Sequence, residues 1–492
     1  MFEVCESLSD RPKADLVIVP FFQGKEKADM IVNMPDLKQI IQPIVSSGDF
    51  TGKEGATLLV YLEGKTEKKL LFLGLGEEKK CSMETLRRGF ASAIKRCQNK
   101  KWQRINVALP LVKRLASRDV VRAVSEGIGL AIYTFDTWKS KENKSPFYLE
   151  RVVLVGTEDK QVCQKSTAVI TGVNLARDLI NGNALDITPQ TLGKVAKELA
   201  HEYSVVKAKV LGKREIEKEE MGLLLAVASG SRCDPALIQL EYRGNPKSED
   251  LTLVVGKGVT FDTGGLNLKP TGHIEDMRTD MSGGAAALGI IKAAAEMKLT
   301  ANIAALIPAT ENAIDANSYK PGDVYRSYQG MTVEITNTDA EGRLALADAL
   351  AYGQKRFSPT RIVDLATLTG AVVVALGDVR MGLFANQDKI AEQLYCAGER
   401  TGERVWRLPL DPDYQDALKS SIADCKNCSS KRAAGSVTAA MFLQQFIEEG
   451  IPWVHLDIAG TARIDKPCHY HLTHASGSGV RLVIEWIESL AG

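Results

Sequence analysis

Leu251-Thr-Leu-Val-Val-Gly-Lys-Gly-Val-Thr-Phe-Asp-Thr-Gly-Gly-Leu-Asn-Leu-Lys-Pro270 decides the fold. Leu251 to Phe261 reads as a strand with apolar residues on both faces, as a buried central sheet requires. It ends in an acid, Asp262, and a Gly264-Gly265 turn. Around it, Ala236–Tyr242, Ala301–Pro308, Thr332–Thr336, Arg361–Ala366 and Trp453–Ile458 read as further strands, with helical patterns between most of them. Alternation of this kind predicts an α/β fold with a mostly parallel sheet covered by helices. Ligand sites in such sheets lie at the carboxyl ends of the strands. Toward the N-terminus, Ala14–Phe21, Thr57–Leu62, Leu70–Leu75, Arg104–Leu109 and Arg151–Gly156 read as strands, and Met83–Gln98 and Ser117–Thr134 as helices, with Ser117 as N-cap. A boundary is expected near residues 157–187: a helix over Gln164–Ile180, a break at Asn181-Gly182-Asn183, and a new helix with Thr188 as cap and Pro189 in its first turn. The expected organisation is two α/β domains, each a mostly parallel or mixed sheet flanked by helices. They are an N-terminal domain over residues 1–160, a linker helix region over 161–187, and a larger C-terminal domain over 188–492 carrying the chemistry.

Composition narrows the function. The 492 residues are 45% hydrophobic and 25% charged, which excludes a disordered, collagen-like or disulfide-miniprotein chain. Lys+Arg is 62 and Asp+Glu 61, a net charge of +1, so no global field draws the chain to nucleic acid or anionic lipid. No apolar run approaches the ~18 residues of a membrane helix. The nine cysteines are irregularly spaced, and the first residues show no basic-then-apolar pattern, so reduced thiols in a cytoplasmic protein are expected.

The chemistry is expected where strands end. Ile335-Thr-Asn-Thr-Asp-Ala-Glu-Gly-Arg-Leu344 places Asp339 and Glu341 two apart, on one side of an extended chain. Two like charges held together need a cation, a shared proton or solvent. Asp262 follows a strand, and Asp280 precedes the Ala-rich helix that runs to Lys298. Hard divalent cations want such oxygen ligands. Four carboxylates suffice for two metals, which at about 3.5–4 Å apart can hold a water between them and polarise a carbonyl. Lys257, Lys269 and Arg343 lie in the same segments. They pair with the acids as salt bridges or, for a lysine beside metals, lose the proton and ligate.

Asn337-Thr-Asp-Ala-Glu-Gly-Arg-Leu344 resembles the signature of the leucyl aminopeptidase (cytosol aminopeptidase) family. Gly256–Gly265 with Lys269-Pro270, Met277–Met281, Ala366–Gly370 and His455–Ala462 match further motifs in the expected order, over about residues 170–490. The resemblance implies one metal held by Lys257, Asp262, Asp280 and Glu341. It implies a second held by Asp262, Asp339 and Glu341, helped by the Asp339 carbonyl. The ions would be manganese or zinc. Lys269 would stabilise the oxyanion, and Arg343 would hold a bicarbonate acting as general base. Met277, Thr367, Gly370, Ala459 and Ala462 would line the pocket for the first side chain. The expected activity is removal of N-terminal leucine and other uncharged residues from peptides with a free N-terminus, by a homohexamer with no membrane attachment. The N-terminal part resembles the family only in size and α/β character.

Other features carry less. Cys425-Lys-Asn-Cys428 lacks a second pair at ligand spacing, so a structural role is expected. The six histidines are read as structural or surface groups, His455 as a hydrogen-bonded core residue. Gly64-Lys65-Thr66 and Gly256-x-Gly258 imitate phosphate loops without the rest of the pattern. A two-metal phosphoesterase would usually add His and Asn ligands, which these motifs lack. A nucleic-acid-binding regulatory protein on a peptidase scaffold is the alternative from another class, supported only by scattered N-terminal lysines such as Lys68, Lys69, Lys79 and Lys80.

Overall fold

The computed structural model describes residues 2–490 except 26, 33, 64–65, 145–148 and 432, so the Gly64-Lys65 imitation of a phosphate loop lies outside the described residues. The chain divides into two compact units. One is Met1–Ile170 with Lys466–Thr473; the other is Thr171–Asp465 with His474–Gly492. The division falls inside one continuous helix, Lys160–Asn181.

The first unit is built on a sheet of β1 (Phe2–Cys5), β2 (Leu16–Phe22), β3 (Asp29–Met30), β4 (Thr57–Tyr61), β5 (Lys69–Gly74), β6 (Arg104–Ala108) and β7 (Arg151–Val155). The order is β1-β7-β6-β2-β5-β4, with β3 on β2. Every pairing is parallel except β4 on β5 and β3 on β2. Phe21, Phe50 and Phe72 pack ring against ring at 4.7–5.5 Å on one face. The helix Met83–Asn99 starts at a Ser82 cap closed reciprocally by Thr85. Ser117 is not the cap expected of it: it is the first helical residue of Ser117–Ala131, behind Ala116, whose side chain cannot accept.

The second unit holds a longer mixed sheet. Its strands are β8 (Val206–Leu211), β9 (Ala236–Arg243), β10 (Leu251–Gly256), β11 (Gly258–Asp262), β12 (Asn302–Asn312), and, beyond the short β13 (Val324–Arg326) and β14 (Thr332–Glu334), β15 (Arg361–Ala366), β16 (Met381–Ala385), β17 (Val405–Arg407) and, beyond β18 (Cys425–Lys426), β19 (Trp453–Asp457). The order is β17-β16-β19-β15-β10-β12-β9-β8, with β11 beside β12, and β13-β14-β18 form a separate three-stranded sheet. At the centre, β10 lies between β12 and β15, and β15 pairs β19, all parallel. Four strands therefore point their carboxyl ends the same way, and those ends carry the site.

Leu251–Phe261 is not one strand. It breaks at Lys257, whose N–H goes to Leu365 O at 3.0 Å while its carbonyl accepts Gly284 N–H at 2.7 Å. The break follows from small residues. The helix Ser282–Met297 starts hard against the strands: a Cβ on Gly283 would lie 1.9 Å from Leu365 O, and one on Gly256 2.3 Å from Gly283 O. The Gly256-x-Gly258 pattern thus serves close packing of helix on sheet. Behind that start, Leu288, Ile290 and Ile291 are fully buried, each contributing about 1.5–3 kcal/mol of transfer free energy.

Candidate active site

Four charged groups of the site are delivered by a strand end or a helix start, while Lys269 comes from a loop and Asp339 from a turn. Lys257 leaves β10, Asp262 ends β11, Asp280 precedes the helix Ser282–Met297, and Glu341 caps the helix Gly342–Phe357. Lys257 is 2% exposed; its Nζ lies 2.7 Å from Asp280 Oδ1, 2.9 Å from Glu341 Oε1 and 3.0 Å from Thr367 O. Lys269 Nζ lies 2.8 Å from Asp262 Oδ2 and 2.5 Å from Asp339 Oδ1. Asp262 Oδ1 accepts from Gly264 N and Asn312 Nδ2, each at 2.8 Å. A Cβ on Gly342 would sit 2.4 Å from Lys257 Cε, so a side chain there would push the lysine away from its place beside Asp280 and Glu341.

Asp339 and Glu341 do not lie on an extended chain. Asn337–Ala340 forms a turn closed by Ala340 N–H to Asn337 O at 3.2 Å, and the helix begins directly after Glu341. Both carboxylates still reach one cavity, through the turn rather than through strand alternation. Thr338 anchors the turn: its N–H donates to Asn267 Oδ1 at 2.8 Å and its hydroxyl to Gly264 O at 2.7 Å.

The electrostatics are those of a cation site. Burial pushes Asp262 up to about 6, with the neighbouring Glu341 adding to the rise. Burial holds Asp280 well above the carboxylate range. Burial also opposes ionisation of Glu341, but Lys257 and Lys269 outweigh it and draw its pKa down. Burial works against the charge on Lys257 as well, yet Asp280 and Glu341 raise it above the ordinary lysine value, and the acids do the same for Lys269. Asp262, Asp280 and Glu341 can bring one oxygen each within 4.8 Å of one another, the group among the described residues able to hold a metal. Glu341 Oε2 is buried without a hydrogen-bond partner. An unpartnered buried carboxylate oxygen is costly unless a cation completes it, so the donor set fits hard divalent ions.

A cavity of about 480 Å³ opens over these groups, within the usual range for small-molecule sites. Of the residues expected from the sequence, it gathers Lys257, Asp262, Lys269, Asp280, Asp339, Glu341, Met277, Thr367, Gly370, Ala459 and Ala462. Arg343 does not line it. The guanidinium is buried, donates from Nη1 to Asn427 O at 2.9 Å and leaves Nε without a hydrogen-bond partner. The sequence reading missed Asn312, which holds Asp262, and His273, Asp276 and Arg463, which also line the cavity. Asn312 ends a strand whose apolar pattern seemed to stop at Pro308; its position at a strand terminus beside the Thr310-Glu311 polar switch was the available signal. His455 is the core histidine expected, its Nδ1 2.6 Å from Asp364 Oδ1.

The comparisons with known proteins agree with this geometry. The model of the cytosol aminopeptidase family catalytic domain matches residues 174–484, and that of the family's N-terminal domain matches residues 18–142. The likeness therefore extends beyond residues 170–490 into the N-terminal part. A probable cytosol aminopeptidase of Protochlamydia amoebophila (strain UWE25) is 47% identical over 100% of this chain and 99% of its own length. One of Chlamydia felis (strain Fe/C-56) is 44% identical over 99% of each. Among solved structures, the bottromycin maturation enzyme BotP in complex with Mn superposes with TM-score 0.86 at 31% identity, over 97% of this chain and 100% of that one. A tomato leucine aminopeptidase mutant superposes with TM-score 0.88 at 30% identity, over 99% and 96%. With both parts of the chain matched in this way, and with carboxylates and lysines gathered at the strand ends, the chain belongs to the cytosol aminopeptidase family and is a metallo-aminopeptidase.

Proposed function

We propose that this enzyme removes leucine and other uncharged residues from the N-termini of peptides, using two divalent ions. Lys257, Asp262, Asp280 and Glu341 would hold one ion, and Asp262, Asp339 and Glu341 the other, with Asp262 and Glu341 shared. The observation that carries this reading is the buried group of Asp262, Asp280 and Glu341 with Glu341 Oε2 unpartnered. Bound there, the ions would supply Lewis acidity for the scissile carbonyl, an acidified water and an anchor for the free α-amine. Manganese or zinc suits carboxylate donors, and the manganese in the BotP complex supports the former.

The remaining work falls to the chain. Lys269, positioned beforehand by Asp262 and Asp339, carries the positive charge that developing negative charge on the carbonyl oxygen needs. Arg343 keeps Nε free to donate, which suits an anion such as bicarbonate as general base. Met277, Thr367, Gly370, Ala459 and Ala462 give the first side chain an uncharged surface. The charged Asp276 and Arg463 on the same cavity pair with each other through Oδ2 and Nη1. Family membership supports a homohexamer and a cytoplasmic location, and no helix among the described residues is long and apolar enough to cross a membrane. Nothing in the site or the comparisons favours the nucleic-acid alternative.

The test is a panel of unblocked aminoacyl amides. A buried Leu or Met side chain gains roughly 1.5–3 kcal/mol over an exposed one, whereas a carboxylate enters with no partner. Leu and Met amides are expected to outrun Asp and Glu amides; the reverse order would overturn the assigned pocket.

A further inference from the structure

Asn427 lies in the Cys425-Lys-Asn-Cys428 stretch, where the two cysteines are the conspicuous residues. Neither cysteine joins a group able to hold a metal among the described residues. Cys425 is buried, with Sγ 3.8 Å from Met331 Sδ, and β18 pairs parallel with β14. That pairing brings Asn427 N–H to Glu334 O at 3.0 Å and sets its side chain, 0% exposed, under the acidic turn.

There the whole amide is used. Asn427 Oδ1 accepts from Thr336 N–H at 2.9 Å, Thr336 Oγ1 at 3.2 Å and Asn337 N–H at 3.4 Å. Asn427 Nδ2 donates to Asn337 O at 2.7 Å and Ala340 O at 3.4 Å. The amide thus grips the turn on both sides of Asp339 and immediately before Glu341. The same residue's carbonyl accepts from Arg343 Nη1, and this is the hydrogen bond that orients the buried guanidinium. An irregular turn has no ladder of its own to fix its carboxylates, so the side chain that satisfies its backbone sets their positions.

We propose that Asn427 is a positioning residue for the reaction. It holds the Thr336–Ala340 turn that presents Asp339 and Glu341, and it orients Arg343. Its consequence for catalysis rests on the two-ion reading above; its consequence for the turn does not.

The experiment compares wild type, Asn427→Ala and Asn427→Asp in two measurements. The first is amide hydrogen exchange of the metal-free full chain. Asn427→Ala should speed exchange at Thr336 and Asn337 about tenfold, the effect of losing one buried hydrogen bond, with the sheet strands unchanged. Asn427→Asp keeps the acceptor and should leave those two amides protected. The second is manganese affinity by dye competition. Asn427→Ala should bind about 10–100-fold more weakly than wild type, the usual cost of removing a residue that orients metal ligands. A third variant, Asn427→Gln, displaces the amide by one methylene without adding charge; it should also bind more weakly and supplies the reading where Asn427→Ala does not fold. Wild-type exchange in Asn427→Ala, or wild-type manganese affinity in whichever of the Ala and Gln variants folds, would overturn the proposal. A wild-type chain that binds no manganese would instead refute the two-ion reading, and the exchange comparison would still decide whether Asn427 holds the turn.

Discussion

Lys269→Met separates chemistry from ligation. Met keeps the length and apolar character of the stem and deletes only the ammonium, which bridges Asp262 and Asp339 at 2.8 and 2.5 Å. The side chain is 15% exposed, so little bulk water can replace the lost charge. Four carboxylates against two lysines give the cluster a formal charge of −2; the substitution makes it −3. A more negative cluster holds protons and divalent ions more firmly. Asp262, already pushed to about 6 by burial and Glu341, should rise further in the metal-free variant, and bound metal should be retained. Turnover should fall by roughly 10²–10³, about 2.7–4 kcal/mol, the cost of one group stabilising an oxyanion. The assay is kcat on leucyl amide beside metal content by atomic emission. Loss of metal together with turnover would make Lys269 a ligand; unchanged turnover would remove it from the reaction.

Three further outcomes are expected. Glu341→Ala removes the carboxylate shared by both ions and should abolish nearly all activity and manganese retention after dialysis; near wild-type values for both would end the two-ion account. Manganese uptake should release protons: Lys257 must lose its own to ligate, and burial makes Asp262, raised to about 6, and Asp280, raised well above the carboxylate range, hold protons that the ion must displace. Affinity should therefore rise with pH by at least about tenfold per unit near neutrality, while calorimetry in buffers of different ionisation enthalpy showing no proton release would contradict it. Gly283→Ala drives a methyl group to 1.9 Å from Leu365 O, a backbone atom of a central strand; a loss of about 1–3 kcal/mol is expected from overpacking, measured as a lowered denaturation midpoint.

How much of this was legible in the sequence depended on distance along the chain. The central strands of both sheets showed in their apolar runs, whereas the edge strands Phe2–Cys5, Val206–Leu211 and Val405–Arg407, with Met381–Ala385 beside the last, were not read from the sequence; Thr188-Pro189 marked a helix start that the structure has, with Thr188 Oγ1 accepting Thr191 N–H. The acids stood out because they follow apolar strands or precede helices, where a buried sheet opens to ligands. The expected geometry of Asp339 and Glu341 was wrong because local alternation was assumed where a hydrogen-bonded turn takes over. The break at Lys257 was hidden inside an apparent strand, because it is imposed by a helix that begins some 25 residues later at Ser282. Ser117 looked like a cap by residue type, but the chain enters that helix one residue earlier. Asn427 was invisible for the same reason as that break: its partners lie about 90 residues away, and no local pattern encodes that meeting. Arg343 stood out with Lys257 and Lys269 in the same segments, but its role came from the resemblance, which could not show that the buried guanidinium is tied to Asn427 O and is not among the residues lining the cavity.

The central claim is that two ions held by this cluster act on substrates bearing a free amine. The most direct measurement titrates the metal-depleted enzyme with manganese while following hydrolysis of leucyl amide and its N-acetyl derivative. Activity on the unblocked amide should appear as about two ions bind per chain, and the acetylated amide should remain intact throughout. Full turnover without added metal, or comparable cleavage of the acetylated substrate, would contradict the account.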